Sequence, residues 1–237
     1  MKKLFSLILG GIERVRLWLG ANRDKIEYVD GLLFSNPVLI EGLALAPAVA
    51  ATQSLKAAVI LSVGFIWLVV LDVVIVRFAF SKASEEMRTI ACALIGAVLF
   101  VPMAYTLKLV FPFLSTEVGL YLPIMIVDSV ILSKSELYIE LQHSNFRMFM
   151  ELLFHSLGFI LVVCLLGAAR EVLAYGTIWG ITVNAAPISS TVALPFFGFF
   201  MVAVLAAAAK ALTNHFYHWI NKRPAQAASR QEVNGNE

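Results

Sequence analysis

The sequence predicts an all-α membrane protein with six transmembrane helices, built as two inverted three-helix repeats whose first and fourth spans are interrupted. Three observations predict it. Of 237 residues, 60% are apolar and only 14% charged, with a mean hydropathy of +0.84, whereas a soluble domain carries about a quarter charged residues. Four apolar runs, Ala57–Phe80, Thr89–Val110, Met148–Ala168 and Thr191–Thr213, reach the roughly 20 residues needed to cross a bilayer core. SVGFIWLVV (Ser62–Val70) in the second span is echoed by SLGFILVV (Ser156–Val163) in the fifth. Since each half holds three spans, an odd number, the two halves enter the membrane in opposite directions.

In chain order, Leu4–Leu19 carries leucines and Trp18 near helical spacing among Glu13, Arg14 and Arg16. That pattern predicts an amphipathic helix lying in the interface rather than a cleaved leader. Residues 1–35 are thus expected to form an interfacial cytoplasmic segment, 36–216 the six-helix domain and 217–237 a polar cytoplasmic tail. The first span, near 37–53, is broken by Glu41, Gly42 and Pro47, and the fourth, near 117–135, by Pro123, Asp128 and Ser129. Non-helical backbone at membrane depth must face protein, water or a cofactor, because lipid cannot satisfy its polar groups. This pair is therefore the expected centre of the fold. A Gly- and Pro-punctuated loop, Arg170–Ser190, separates the fifth and sixth spans.

With that arrangement, fifteen Lys and Arg residues fall on the side of the termini and three, Lys56, Lys108 and Arg170, on the other. The asymmetry predicts that both termini are cytoplasmic, and a bacterial inner membrane is the expected location. The net charge of +2 gives no basis for nucleic-acid binding. Cys92 and Cys164 lie within apolar runs without metal-ligand spacing and read as small buried side chains. The polar segments hold no nucleotide loop and no nucleophile–base arrangement, so the chain alone is not expected to be an enzyme.

NPVLIEGLALAPAVAAT (Asn36–Thr52), VGLYLPIMIVDSVILSKSE (Val118–Glu136) and LGAAREVLAYGTIWG (Leu166–Gly180) resemble the membrane subunits of the Rnf and Nqr ion-translocating redox complexes. The last stretch, with Arg170, Glu171, Gly176 and Gly180, is most similar to the Rnf E or Nqr D type. The resemblance implies subunits working in pairs of opposite orientation, or a homodimer. It also implies a [2Fe–2S] cluster at the subunit interface, held by one cysteine from each interrupted span. Here the family's LGLCP reads LALAP and its TNC reads VDS, so the ligand positions are Ala46 and Ser129. Alanine has no donor atom and serine lacks the thiolate such clusters use. No cofactor is expected in this chain. The expected function is a membrane subunit of an Rnf/Nqr-like electron-transport, ion-translocating complex. The alternatives are a repurposed small ion or solute transporter of the same fold and a stand-alone membrane protein.

Ionisable groups inside spans default to functional candidates. Asp128, beside the lost ligand position, is expected to form a polar or ion site with Glu41 on the facing interrupted span. Asp72 and Arg77 read as an interfacial pair with a snorkelling arginine. Lys134 and Glu136 read as interfacial. Arg170 and Glu171 read as a structural motif at the outer end of the fifth span, with Arg170 capping helix carbonyls and anchoring the loop that follows. The histidines form no ligand-spaced cluster except His215 with His218, which interfacial polarity explains.

Overall fold

A computed structural model of the chain describes residues 32, 35–112, 118–119, 121–128, 145–183 and 187–221. The expected interfacial helix, Ser129 with the rest of the fourth span, Lys134, Glu136 and the tail beyond 221 lie outside the described residues. In chain order the elements are α1 (Leu45–Ala50), α2 (Leu55–Ala79), α3 (Glu85–Val110), a 3-10 helix η1 (Leu122–Val127), α4 (Asn145–Tyr175), the strands β1 (Thr177–Ile178) and β2 (Ile181–Thr182), a second 3-10 turn η2 (Ser190–Ala193), and α5 (Pro195–Asn221). Among the described residues, α2, α3, α4 and the Pro195–Phe216 part of α5 are long and apolar enough to cross a membrane.

The core is the α2–α4 pair, with α3 on the other side of α2. Phe65 of the SVGF sequence stacks on Phe159 of the SLGF sequence, ring centroids 3.8 Å apart and planes 15° from parallel. Ser62 and Ser156, three residues before each phenylalanine, return their hydroxyls to the carbonyls of Ala58 and Leu152. At the Leu55 end the two helices touch: a Cβ on Gly167 would lie 2.8 Å from both the Ala58 methyl and the Ser54 carbonyl oxygen. Apolar side chains are exposed on all four long helices, among them Ile75 and Phe78 of α2, Leu94 and Val98 of α3, Leu165 of α4 and Phe196 of α5. Such apolar exposure suits a hydrocarbon solvent and would be a liability in water.

The first interrupted stretch is a single turn followed by one short helix, α1. A turn over residues 37–40 closes with Ile40 N–H donating to the Asn36 carbonyl (3.0 Å) and Leu43 N–H to that of Pro37 (2.7 Å). The chain then breaks at Gly42 (φ 71°) and Ala44 (φ 54°) before α1 begins. α1 packs against η1, so the two interrupted stretches meet. η1 itself is seated by small residues: Leu122 lies over Gly64 of α2 and Ile126 over Gly96 of α3.

α4 corrects one expectation. It runs 31 residues, from three residues before the expected fifth span to seven beyond it, so Arg170 and Glu171 lie within the helix rather than at its end. The helix can continue past them because both side chains find partners in protein. It stops at Gly176, whose φ of 66° and N–H bond to the Val172 carbonyl (2.9 Å) make a left-handed helix end. A two-strand hairpin follows, with Thr177 opposite Thr182 and Ile178 opposite Ile181. Its corner residues, Trp179 (φ 59°) and Gly180 (φ 78°), both have the positive φ of a type I′ turn.

Candidate functional site

The interrupted first stretch is positioned by two polar side chains, one at its own start and one from α4. Asn36 is fully buried. Its amide oxygen accepts from Val38 N–H (3.0 Å) and Leu39 N–H (3.1 Å), an Asx turn that opens the turn over residues 37–40. Its amide nitrogen donates to the Gly158 carbonyl in the middle of α4 (2.9 Å) and to that of Leu32 (3.0 Å).

Arg170 holds the other end. Its guanidinium is fully buried and spans two elements. Nη1 donates to the Val49 carbonyl in the last turn of α1 (2.7 Å) and to Thr52 Oγ1 (3.0 Å). Nε donates to the Val192 carbonyl (3.3 Å), and Nη2 to the Ala193 carbonyl, in η2. A planar five-donor fork suits this task, which a single ammonium could not perform. Gly198 of α5 leaves the needed room, since a Cβ there would lie 2.8 Å from Val49 and 3.1 Å from Arg170 Nη1. Arg170 therefore binds carbonyls of α1 and η2 rather than those of its own helix.

Glu171 does the matching work for donors. One carboxylate oxygen accepts from Leu55 N–H in the first turn of α2 (2.9 Å). The other accepts from Gly180 N–H (2.8 Å) and the Thr177 hydroxyl (3.1 Å) in the hairpin. A negative charge at a helix N-terminus also meets the positive end of the helix dipole. Ser54 completes that end by accepting from Ala57 N–H (3.2 Å).

Within this frame the sequence candidates separate. Ala46, in the first turn of α1, is exposed on the surface of the chain. Asp128 is buried, directly after η1, with its N–H bonded to the Met125 carbonyl (3.3 Å). Glu41 is exposed, and one of its oxygens lies 3.6 Å from His155 Nε2. His155 Nδ1 is 2.8 Å from the Glu151 carbonyl, while the Glu151 carboxylate pairs with Arg147 at 2.9 Å. The expected Asp72–Arg77 interfacial pair does not form. Five residues apart, the two side chains point about 140° away from each other around the helix. Arg77 bonds Asn145 at the exposed edge (3.3 Å), and Asp72 is completely buried with no hydrogen-bond partner on either oxygen.

Among the described residues, the donor atoms at the interrupted stretches do not match the thiolates an iron–sulfur cluster uses. Ala46 offers a methyl group, and Cys92 and Cys164 sit on α3 and α4 rather than on the interrupted stretches. Cys92 is buried, and Cys164 stands 3.9 Å from the Ser62 hydroxyl. Among the described residues no group of three His, Cys, Asp or Glu could hold a metal.

A sequence profile of the Rnf-Nqr membrane-protein subunits matches residues 26–208. The chain belongs to the Rnf-Nqr family. It is 28% identical over 149 residues to the E subunit of the ion-translocating oxidoreductase complex of Shewanella piezotolerans, covering 63% of this chain and 64% of that protein. The E subunit of the same kind of complex from Shewanella frigidimarina is 32% identical over 158 residues, with 63% and 64% covered. The E subunit of the proton-translocating ferredoxin:NAD(+) oxidoreductase complex of Clostridium ljungdahlii is 24% identical over 192 residues, covering 78% of this chain and 87% of that one. The chain thus spans about 64% of the length of the Shewanella relatives. Two residues of this Rnf-Nqr chain were not marked as site residues by the sequence. Asn36 could have been found as an Asn-Pro pair opening the first interrupted stretch. Asp72 could have been found by depth, since seven residues from the end of α2 place it about 10 Å inside.

Proposed function

We propose that this chain is a membrane subunit of an ion-translocating electron-transport complex in a bacterial inner membrane, without an iron–sulfur cluster of its own. The observation that carries the reading is Arg170. Its buried guanidinium joins the broken first stretch to η2, which supports a retained family scaffold. At the exposed tip of that stretch, Ala46 supplies no ligand. An exposed position there suits contact with a second subunit, and the partners proposed are homologous membrane subunits of opposite topology, or a second copy.

The six-span inverted repeat belongs to this proposal, with both termini cytoplasmic. Equivalent phenylalanines that stack on each other support a pseudo-twofold axis between α2 and α4. So does the exchange of packing between halves. Asn36 of the first half binds at Gly158, and Leu122 of the second packs on Gly64, the glycine of the matching sequence. Asp128 and Glu41 are proposed to flank a polar site where the two interrupted stretches meet.

The test is affinity purification of the tagged chain from membranes in mild detergent, with iron content and visible absorption measured. The expected result is co-purification of homologous membrane subunits with iron, and an iron-free product when the chain is expressed alone. An iron-free homodimer that moves an ion across liposomes would replace the complex by a small transporter. Iron bound to the chain alone would overturn the cluster-free reading.

A further inference from the structure

Asp72 is the one carboxylate among the described residues that is buried with neither oxygen hydrogen-bonded. It is fully buried on α2, about 10 Å from the end of that helix. An ionised carboxylate in such a place without donors is costly, and the interior accommodates it with a bound cation or proton. The polar group beside it is the Cys92 thiol of α3, itself buried and only a weak donor. We infer that Asp72 and Cys92 form an intramembrane proton-binding site, in which the Asp72 carboxyl takes up and releases a proton beside the thiol.

The surroundings favour a proton over a metal ion. A monovalent or divalent metal ion needs several oxygen ligands, and here two carboxylate oxygens meet one sulfur. The other ionisable groups near this level are engaged or displaced. On α3, Arg88 lies one turn from Cys92 towards the helix start; it donates from Nη1 to the Ala83 carbonyl (3.1 Å) and makes no ion pair with Asp72. On α4, the contacts Phe65–Phe159 and Arg77–Asn145 bracket the level of Asp72. There Glu151 pairs with Arg147, and His155 lies against Glu41. From η1, Ile126 packs on Gly96, one turn from Cys92, and Asp128 follows two residues later. Arg88 also has its Nε buried without a partner. The step is a simple protonation, with no change of oxidation state. The inference stands on this chain alone, whether or not it assembles with others.

Dicyclohexylcarbodiimide, an apolar reagent that adds to carboxylic acids but not to carboxylates, tests it on the unmodified full-length chain in membranes. Mass-spectrometric mapping is expected to find the adduct on Asp72 at neutral pH, falling as pH rises and indifferent to sodium. Labelling suppressed by sodium would make this a metal-cation site and overturn the proton assignment. No label on Asp72 would also count against it. Infrared spectroscopy supplies a second readout: a carboxylic-acid C=O band at neutral pH that Asp72→Asn removes and Cys92→Ser moves to lower frequency. Absence of that band, or a band unmoved by Cys92→Ser, sinks the site as described.

Discussion

At the Leu55 end of the α2–α4 pair, Arg170 and Glu171 place buried charge against seven hydrogen-bonding partners: four acceptors around the guanidinium and three donors around the carboxylate. About 25 Å along α2 from Leu55, Asp72 is just as buried, with neither carboxylate oxygen hydrogen-bonded. Both are ionisable groups within membrane-length helices, and the contrast lies wholly in what surrounds them. A fully satisfied network fixes one arrangement of the chain, whereas an unsatisfied group is held against its own stability and is available for exchange. The difference separates architecture from chemistry where burial alone would not.

The comparison can be broken most sharply at Arg170. Arg170→Met keeps an apolar stem of similar reach and strands the carbonyls of Val49, Val192 and Ala193. At about 1–3 kcal/mol for each buried group left unpaired, partly offset by removing a buried charge, the expected loss is on the order of 3–5 kcal/mol. The thermal unfolding midpoint in mild detergent should fall steeply, and proteolysis near α1 should quicken. A midpoint within a degree or two of the parent would show that the network holds nothing.

Asn36 comes next. Asn36→Ala frees the N–H groups of Val38 and Leu39 and removes the tie to Gly158, with an expected cost of about 2–3 kcal/mol. Hydrogen exchange should locate the loosening in residues 37–44 and leave α2 protected. Uniform loss of protection would instead make Asn36 part of the global core.

Asp72 should respond with the opposite sign. Asp72→Val replaces an unpartnered polar group by an apolar one of comparable size, and the chain is expected to gain roughly 1–2 kcal/mol, read as a higher unfolding midpoint. Destabilisation by that substitution would reveal a partner for the carboxylate and erase the contrast with Arg170.

Much of this division was visible in the sequence, though unevenly. Composition and run length set out the four long helices, because hydrocarbon solvent imposes a length and a polarity that any sequence must meet. Gly42 and Pro47 announced the break in the first stretch, and Arg170 stood out as a basic residue on the sparsely charged side. What Arg170 binds was illegible: its partners are backbone carbonyls 121, 22 and 23 residues away, and carbonyls carry no residue signature. Asp72 was misread because its nearest sequence partner of opposite charge, Arg77, lies on another face of the helix. Pairing by proximity in sequence fails whenever the spacing is not three or four residues.

The smallest effect belongs to the two phenylalanines, and it tests the axis between the halves. Phe65 and Phe159 occupy matching places in SVGF and SLGF and are each fully buried. If they contribute as equivalent partners, Phe65→Leu and Phe159→Leu should lower stability by similar amounts. The double variant should then fall short of their sum by about 0.5–1.5 kcal/mol, the worth of an aromatic pair beyond its buried area. Strict additivity would mean that the rings pack against their surroundings rather than each other. Markedly unequal single effects would mean that the two halves, though alike in sequence, use this position differently, and the pseudo-twofold relation would then be one of chain path without energetic symmetry.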